Sequence, residues 1–192
     1  MKRLTSLMVC GAFIIGAAAR IVTFGPLQKV EIPEGATEMP AKKLTALTAG
    51  AFEAAEGPQA SIHRGHLMVD GRAIDPLGPG SYLWPQVSPD GKKVVFWCVD
   101  RGCHVSNIDG SEPVLIGGMR AAVWIDDTTL AGMYDRDNGT VITQSRLAVC
   151  DLESGEKQFF TPDDMIALFP AASPTRVAFI DDAGSVYYMD IE

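Results

Sequence analysis

Four cysteines, three histidines and one run of alternating oxygen-bearing side chains are the residues whose types and spacing could do chemistry in this chain of 192 residues. Cys98 and Cys103 flank the turn Val99-Asp100-Arg101-Gly102. Across a hairpin they could face each other and, in an oxidising compartment, bridge; two free buried thiols are the other reading. Cys150 reads as an unpaired small core residue. Cys-x4-Cys has no second pair, and with only His104 nearby it does not make a zinc site. His63 and His66 enclose Arg64-Gly65, a strand-turn spacing not expected to aim both rings at one metal. Asp135, Asp137 and Asn138 are weak calcium candidates. The run Asp135-Arg136-Asp137-Asn138-Gly139 departs from the EF-hand loop, with glycine one position early and Arg146 where a glutamate would close the site, so a solvated hairpin loop is its default. The chain contains no His-Glu-x-x-His, no Gly-x-Ser-x-Gly and no phosphate loop. No catalytic residue and no cofactor are therefore expected.

The elements that would position these residues are strands, and they repeat. Tyr82-Leu83-Trp84-Pro85-Gln86-Val87-Ser88-Pro89-Asp90-Gly91-Lys92-Lys93-Val94-Val95-Phe96 reads as strand, tight turn, strand. Ser88, Pro89, Asp90 and Gly91 supply the turn: Pro89 presets φ, Asp90 can bond its own backbone, and Gly91 accepts positive φ. Related units recur around Trp124-Ile125-Asp126-Asp127 and Ala172-Ser173-Pro174-Thr175, at offsets of about 37 and about 48 residues, bracketing the roughly 40–45 of a four-stranded propeller blade. Asp135 to Thr140 reads as an extra polar loop that lengthens the second interval. An eroded blade precedes these units between Ser61 and Leu77, where Asp70-Gly71 signals a hairpin. The final unit lacks a fourth strand.

The pattern Pro-x-Φ-Ser-Pro-Asp-Gly-Lys, with Φ apolar, and the later Ser106-Asn107-Ile108-Asp109-Gly110 resemble the WD40-like repeat of TolB-type β-propellers. Phe169-Pro170-Ala171-Ala172-Ser173-Pro174 extends the resemblance to the last unit. It covers about Ser61 to Glu192, and Tyr82 to Gly110 is its specific part. The resemblance implies an all-β propeller of four-stranded antiparallel blades, either a small four-bladed ring or part of a larger, incomplete one. In such rings an N-terminal strand commonly pairs with the last blade; Lys42 to Thr48 is the expected ring-closing strand. Prolyl-oligopeptidase-type propellers resemble these repeats too, but nothing here could be their hydrolase domain.

Residues 1–19 read as a signal peptide: Met1-Lys2-Arg3, an apolar run, then Ala17-Ala18-Ala19. The run is too short for a membrane span, and Cys10 precedes most of it, which disfavours a lipoprotein reading. Residues 20–60 read as a linker with the ring-closing strand, and 61–192 as the blades. A net charge of −8 argues against nucleic acid as a partner. Trp84, Trp97, Trp124 and Tyr82 could line a binding face, although Trp84 and Trp124 are the best core candidates, each standing just before a repeat turn. The expectation is a non-catalytic exported scaffold, periplasmic or secreted, that binds another envelope protein and could self-associate through open sheet edges. The alternatives are a hydrolase or lyase with a channel site, and a truncated propeller without independent function.

Overall fold

A row of turns sets the architecture. The computed structural model describes residues 21–31 and 57–192, and its regular structure is all β. In the Ser-Pro-Asp-Gly turn the Ser88 hydroxyl donates to Asp90 Oδ1 at 2.7 Å and accepts from the Lys93 N–H at 2.9 Å. The Lys92 N–H donates to Asp90 Oδ1 at 3.1 Å, and Gly91 has φ +73°. These bonds satisfy the turn locally and release an antiparallel pair on either side. The next unit has no such serine, and there Asp126 Oδ1 takes the N–H of Thr128 at 2.9 Å.

Four antiparallel sheets follow. The first comprises β2 (Ala60–His63), β3 (His66–Val69) and β4 (Arg72–Ala73). The second runs β5 (Tyr82–Val87), β6 (Lys93–Cys98), β7 (Gly102–Asn107) and β8 (Val114–Gly117). The third runs β9 (Arg120–Trp124), β10 (Thr129–Asp137), β11 (Ile142–Asp151) and β12 (Lys157–Phe159). The fourth runs β13 (Ala167–Ser173), β14 (Arg176–Asp181) and β15 (Val186–Asp190), with β1 (Gln28–Lys29) outside β15. The leading strands touch in turn, β2 against β5, β5 against β9 and β9 against β13. They are therefore the inner strands of four propeller blades. The described residues form an open fan, because the series of principal contacts ends at β13 without returning to β2.

The core lies between blades, as the period of two requires. Val94, Phe96 and Cys98 of β6 pack with Leu67 of the first blade, whereas Val95 packs toward the third blade with Trp124 and Leu130. This alternation decides between the two readings of the cysteine pair. Cys98 stands opposite Gly102 and Cys103 opposite Trp97, so the two thiols project from opposite faces of the sheet. The loop between β6 and β7 is one residue shorter than a Cys98–Cys103 pairing needs. Cys98, Cys103 and Cys150 are all free and buried.

The fourth blade is completed from the N-terminal side, but by an earlier segment than Lys42 to Thr48, which lies outside the described residues. Gln28 pairs with Tyr188 and Lys29 with Tyr187; Phe24 bridges Ile191, and the Gly25 N–H donates to the Asp190 carbonyl at 2.8 Å. The same segment also reaches the third blade. Gln158 donates to the Val22 carbonyl at 2.8 Å and accepts from its N–H at 3.3 Å, while Phe24 stacks on Phe160 with ring centroids 4.4 Å apart. Of the expected polar loop, Asp135 to Asp137 are strand and only Asn138 to Val141 turn the hairpin. β10 and β11 stay paired out to Asp137 and Ile142, and Ser145 on this extension donates to the Ala167 carbonyl of the fourth blade. Among the described residues no helix is long and apolar enough to cross a membrane.

Candidate binding site on the inner strands

The inner strands carry a repeated irregularity. Counting back four residues from Ser88, Ile125 and Ser173, which occupy equivalent turn positions, gives Trp84, Ala121 and Phe169. Their φ values are +49°, +47° and +48°. At the same places the ladder slips, between Leu83 and Gln86, between Ala131 and Met133 opposite β9, and between Leu168 and Ala171. Each of these three inner strands therefore bulges once, with an L-residue in the left-handed region at the bulge, whereas β2 pairs with β3 without a slip. Such a conformation is an outlier for a bulky residue, and strained positions of this kind cluster at ligand clamps.

Two of the three bulges present aromatic rings. Trp84 is 42 % exposed and Phe169 49 % exposed, and neither ring stacks on another aromatic ring among the described residues. Pro85 and Pro170 follow them, stiffening the chain at both places. Between them, in the middle blade, Ala121 leaves a low point in the row. One residue earlier in each blade stand Leu83, Arg120 and Leu168. Arg120 donates to Asp135 Oδ2 at 2.7 Å and lies over the Trp97 ring with its guanidinium carbon 5.4 Å from the centroid. The Asp135 side chain is only 1 % exposed, and its Oδ1 has no hydrogen-bond partner. Arg120 is thereby held in place by a buried carboxylate on one side and an indole ring on the other. The inner strands also stand at the ends of their sheets, so among the described residues no further strand pairs with their axis-facing N–H and C=O groups.

The other residues singled out in the sequence are placed elsewhere. Asp135 belongs to Arg120, Asp137 Oδ1 accepts the Gly139 N–H at 2.9 Å, and Asn138 Oδ1 accepts the N–H groups of Thr140 and Val141, both at 3.0 Å. The weak calcium candidates thus hold a hairpin and an ion pair. Burial pushes the Cys103 thiol up to about 12 and raises that of Cys150, which makes both poor nucleophiles. Ser173 accepts from the Thr175 N–H at 3.4 Å, so with Pro174 it serves a turn as Ser88 and Pro89 do. A cleft of about 330 Å³ beside β13 is lined by Pro162, Asp164, Met165, Ile166, Asp181 and Asp182. No group of three potential metal ligands occurs among the described residues. Sequence reasoning placed Trp84 in the core and left out Phe169, Ala121 and Arg120. The signal that could have found the site was the recurrence of aromatic-proline at one distance from the turn, in Trp84-Pro85 and Phe169-Pro170.

The described residues are an open fan of β-propeller blades. No protein-family model matches the sequence, and no curated protein does. Among solved structures the chain is similar to the crystal structure of the tricorn protease, at 13 % identity and a TM-score of 0.46, over 60 % of this chain and 12 % of that one. The chain thus spans about an eighth of that protein's length.

Proposed function

We propose that this protein is a non-catalytic scaffold of TolB-like type, exported to the cell envelope, whose inner strands bind an extended segment of another envelope protein. The observation that carries the reading is the pair of strained, exposed rings, Trp84 and Phe169, at equivalent bulges on either side of Ala121. A peptide in extended form suits such a row. Its backbone can bond to the strand edges left open among the described residues, while apolar side chains at alternate positions rest on the two rings. Arg120 offers an ionic contact between them. Export rests on residues 1–19, and the TolB likeness on the turn motif and its spacing.

Panning a random dodecapeptide library displayed on phage against the full chain tests the reading. Enriched peptides should carry aromatic or large apolar residues and bind the Trp84→Ala/Phe169→Ala variant at least tenfold more weakly. Peptides that bind parent and variant equally would move the interface off the inner strands. Failure to enrich any peptide would overturn the scaffold reading itself.

A further inference from the structure

We propose that His63 and His66 form a surface site for a late first-row divalent metal ion, copper(II) above all, on the first blade. The observation is their register. β2 and β3 are joined by the two-residue turn Arg64-Gly65, with φ +49° and +84°, and His63 is the direct partner of His66 across the ladder. Sequence spacing alone suggested that the rings diverge. Directly opposed residues on antiparallel strands instead share a face, with Cβ atoms about 4.5–5.5 Å apart. Two imidazole nitrogens at 2.0–2.1 Å from one tetrahedral ion stand roughly 3.3 Å apart, a span that rotation about the two Cβ bonds covers.

A carboxylate holds one ring in position. His66 Nδ1 is 2.6 Å from Asp75 Oδ2, and Asp75 Oδ1 accepts the Leu67 N–H at 2.9 Å. Asp75 is thereby anchored to the strand that bears His66. With the proton on Nδ1 shared with the carboxylate, Nε2 presents its lone pair outward. This carboxylate–imidazole arrangement is the one that orients and strengthens metal-binding histidines. The pair is also accessible. The His66 side chain is 55 % exposed, and His63 is exposed as well. Leu67, on the other face of β3, packs into the second blade, so the two imidazoles are on the blade face turned away from it. Ser61 and Met68, the next pair along, share that face. Two protein nitrogens leave the remaining coordination positions to water. Among divalent ions, imidazole sites of this kind follow the order that peaks at copper.

The site does not depend on the peptide-binding reading, and its test is separate. Copper(II) titrated into the full chain and followed by electron paramagnetic resonance should load one ion per chain, with hyperfine splitting from two imidazole nitrogens. His63→Ala and His66→Ala should each weaken binding at least tenfold and leave one nitrogen or none in the spectrum. Both side chains are exposed, so an unchanged melting temperature without metal confirms that each variant is folded. Asp75→Asn, which keeps an acceptor for Leu67, should retain both nitrogens and lose about tenfold in affinity, the low end of the range for such supporting carboxylates. Zinc should raise the melting temperature of the parent and not of His63→Ala. Copper bound equally by parent and both histidine variants, or a spectrum with one nitrogen in the parent, would overturn the site. Undiminished affinity in Asp75→Asn would overturn the positioning role of the carboxylate.

Discussion

Trp84 and Trp124 stand on the inner strands of adjacent blades, each a few residues ahead of a repeat turn, and the fold treats them oppositely. Trp124 is 2 % exposed, packs with Val95, Cys103 and Leu130, and donates its indole N–H to the Gln86 carbonyl at 3.0 Å. Its backbone N–H goes to Gln86 Oε1 at 2.9 Å. Trp84 is 42 % exposed, at a bulge with positive φ. The difference is a matter of phase. Trp124 stands one residue before Ile125, in the place Val87 holds before Ser88, where the strand is regular and alternate side chains enter the interface between blades. Trp84 stands four before Ser88, at the slip in the ladder, and leaves that interface. A large aromatic residue is therefore core or surface in this fold according to its distance from the turn.

Removing the buried ring should have the largest effect. Trp124→Ala should cost about 3–5 kcal/mol, the range for deleting a fully buried aromatic side chain, read by urea unfolding at constant slope. It also leaves the Gln86 carbonyl without its indole partner. If Trp124→Ala were no worse than Trp84→Ala, the phase argument would fall.

Phe24 is an intermediate case. It is half-buried, and it stacks on Phe160 while its segment joins the fourth blade to the third. Phe24→Ala should cost about 1–2 kcal/mol, combining an aromatic pair of about 0.5–1.5 with partial loss of apolar burial. Hydrogen exchange should then quicken first in β15 and its neighbour β1, the pair this segment makes. A loss spread evenly over all four blades would show that the segment stabilises the whole fan as one unit.

Much of the fold was legible because it is written in short-range chemistry. Ser88, Pro89, Asp90 and Gly91 specify a turn through their own side chains, and apolar runs on either side make strands wherever the turn puts them. Blade number and order followed from that repeat. Three features did not, and each depends on register or on contacts distant in sequence. Whether Cys98 and Cys103 face each other turns on a single residue of loop length, and one residue reverses the face. His63 and His66 were judged by spacing, although a two-residue turn makes them direct partners. Ring closure from the N-terminal side is legible in the resemblance, but the sequence points to Lys42 to Thr48 for it. Residues 21–31 do that work, with Gln28 and Lys29 on Tyr188 and Tyr187 and Phe24 on Ile191, partners some 160 residues away in sequence. The bulges belong to the same class. Positive φ at Trp84 and Phe169 has no local signal in residue type, since glycine or asparagine would be the ordinary choice.

That last point yields the smallest and sharpest test. At an ordinary strand position glycine is less stable than alanine by roughly 0.5–1 kcal/mol, because it loses more chain entropy on folding. At positive φ the order reverses, since alanine keeps the clash of Cβ with the backbone, about 1–2 kcal/mol for the left-handed region, and glycine does not. Trp84→Gly should therefore be more stable than Trp84→Ala by up to about 1 kcal/mol, whereas Trp124→Gly should be less stable than Trp124→Ala. Both Trp84 variants should lose the peptide contact, so glycine would raise stability over alanine without restoring binding. Strain kept at an exposed ring, against an available relief, is what a recognition surface requires and a packing residue does not. If alanine were the better residue at both positions, Trp84 would be an ordinary strand residue, and its ring would lose its claim to a held, functional orientation.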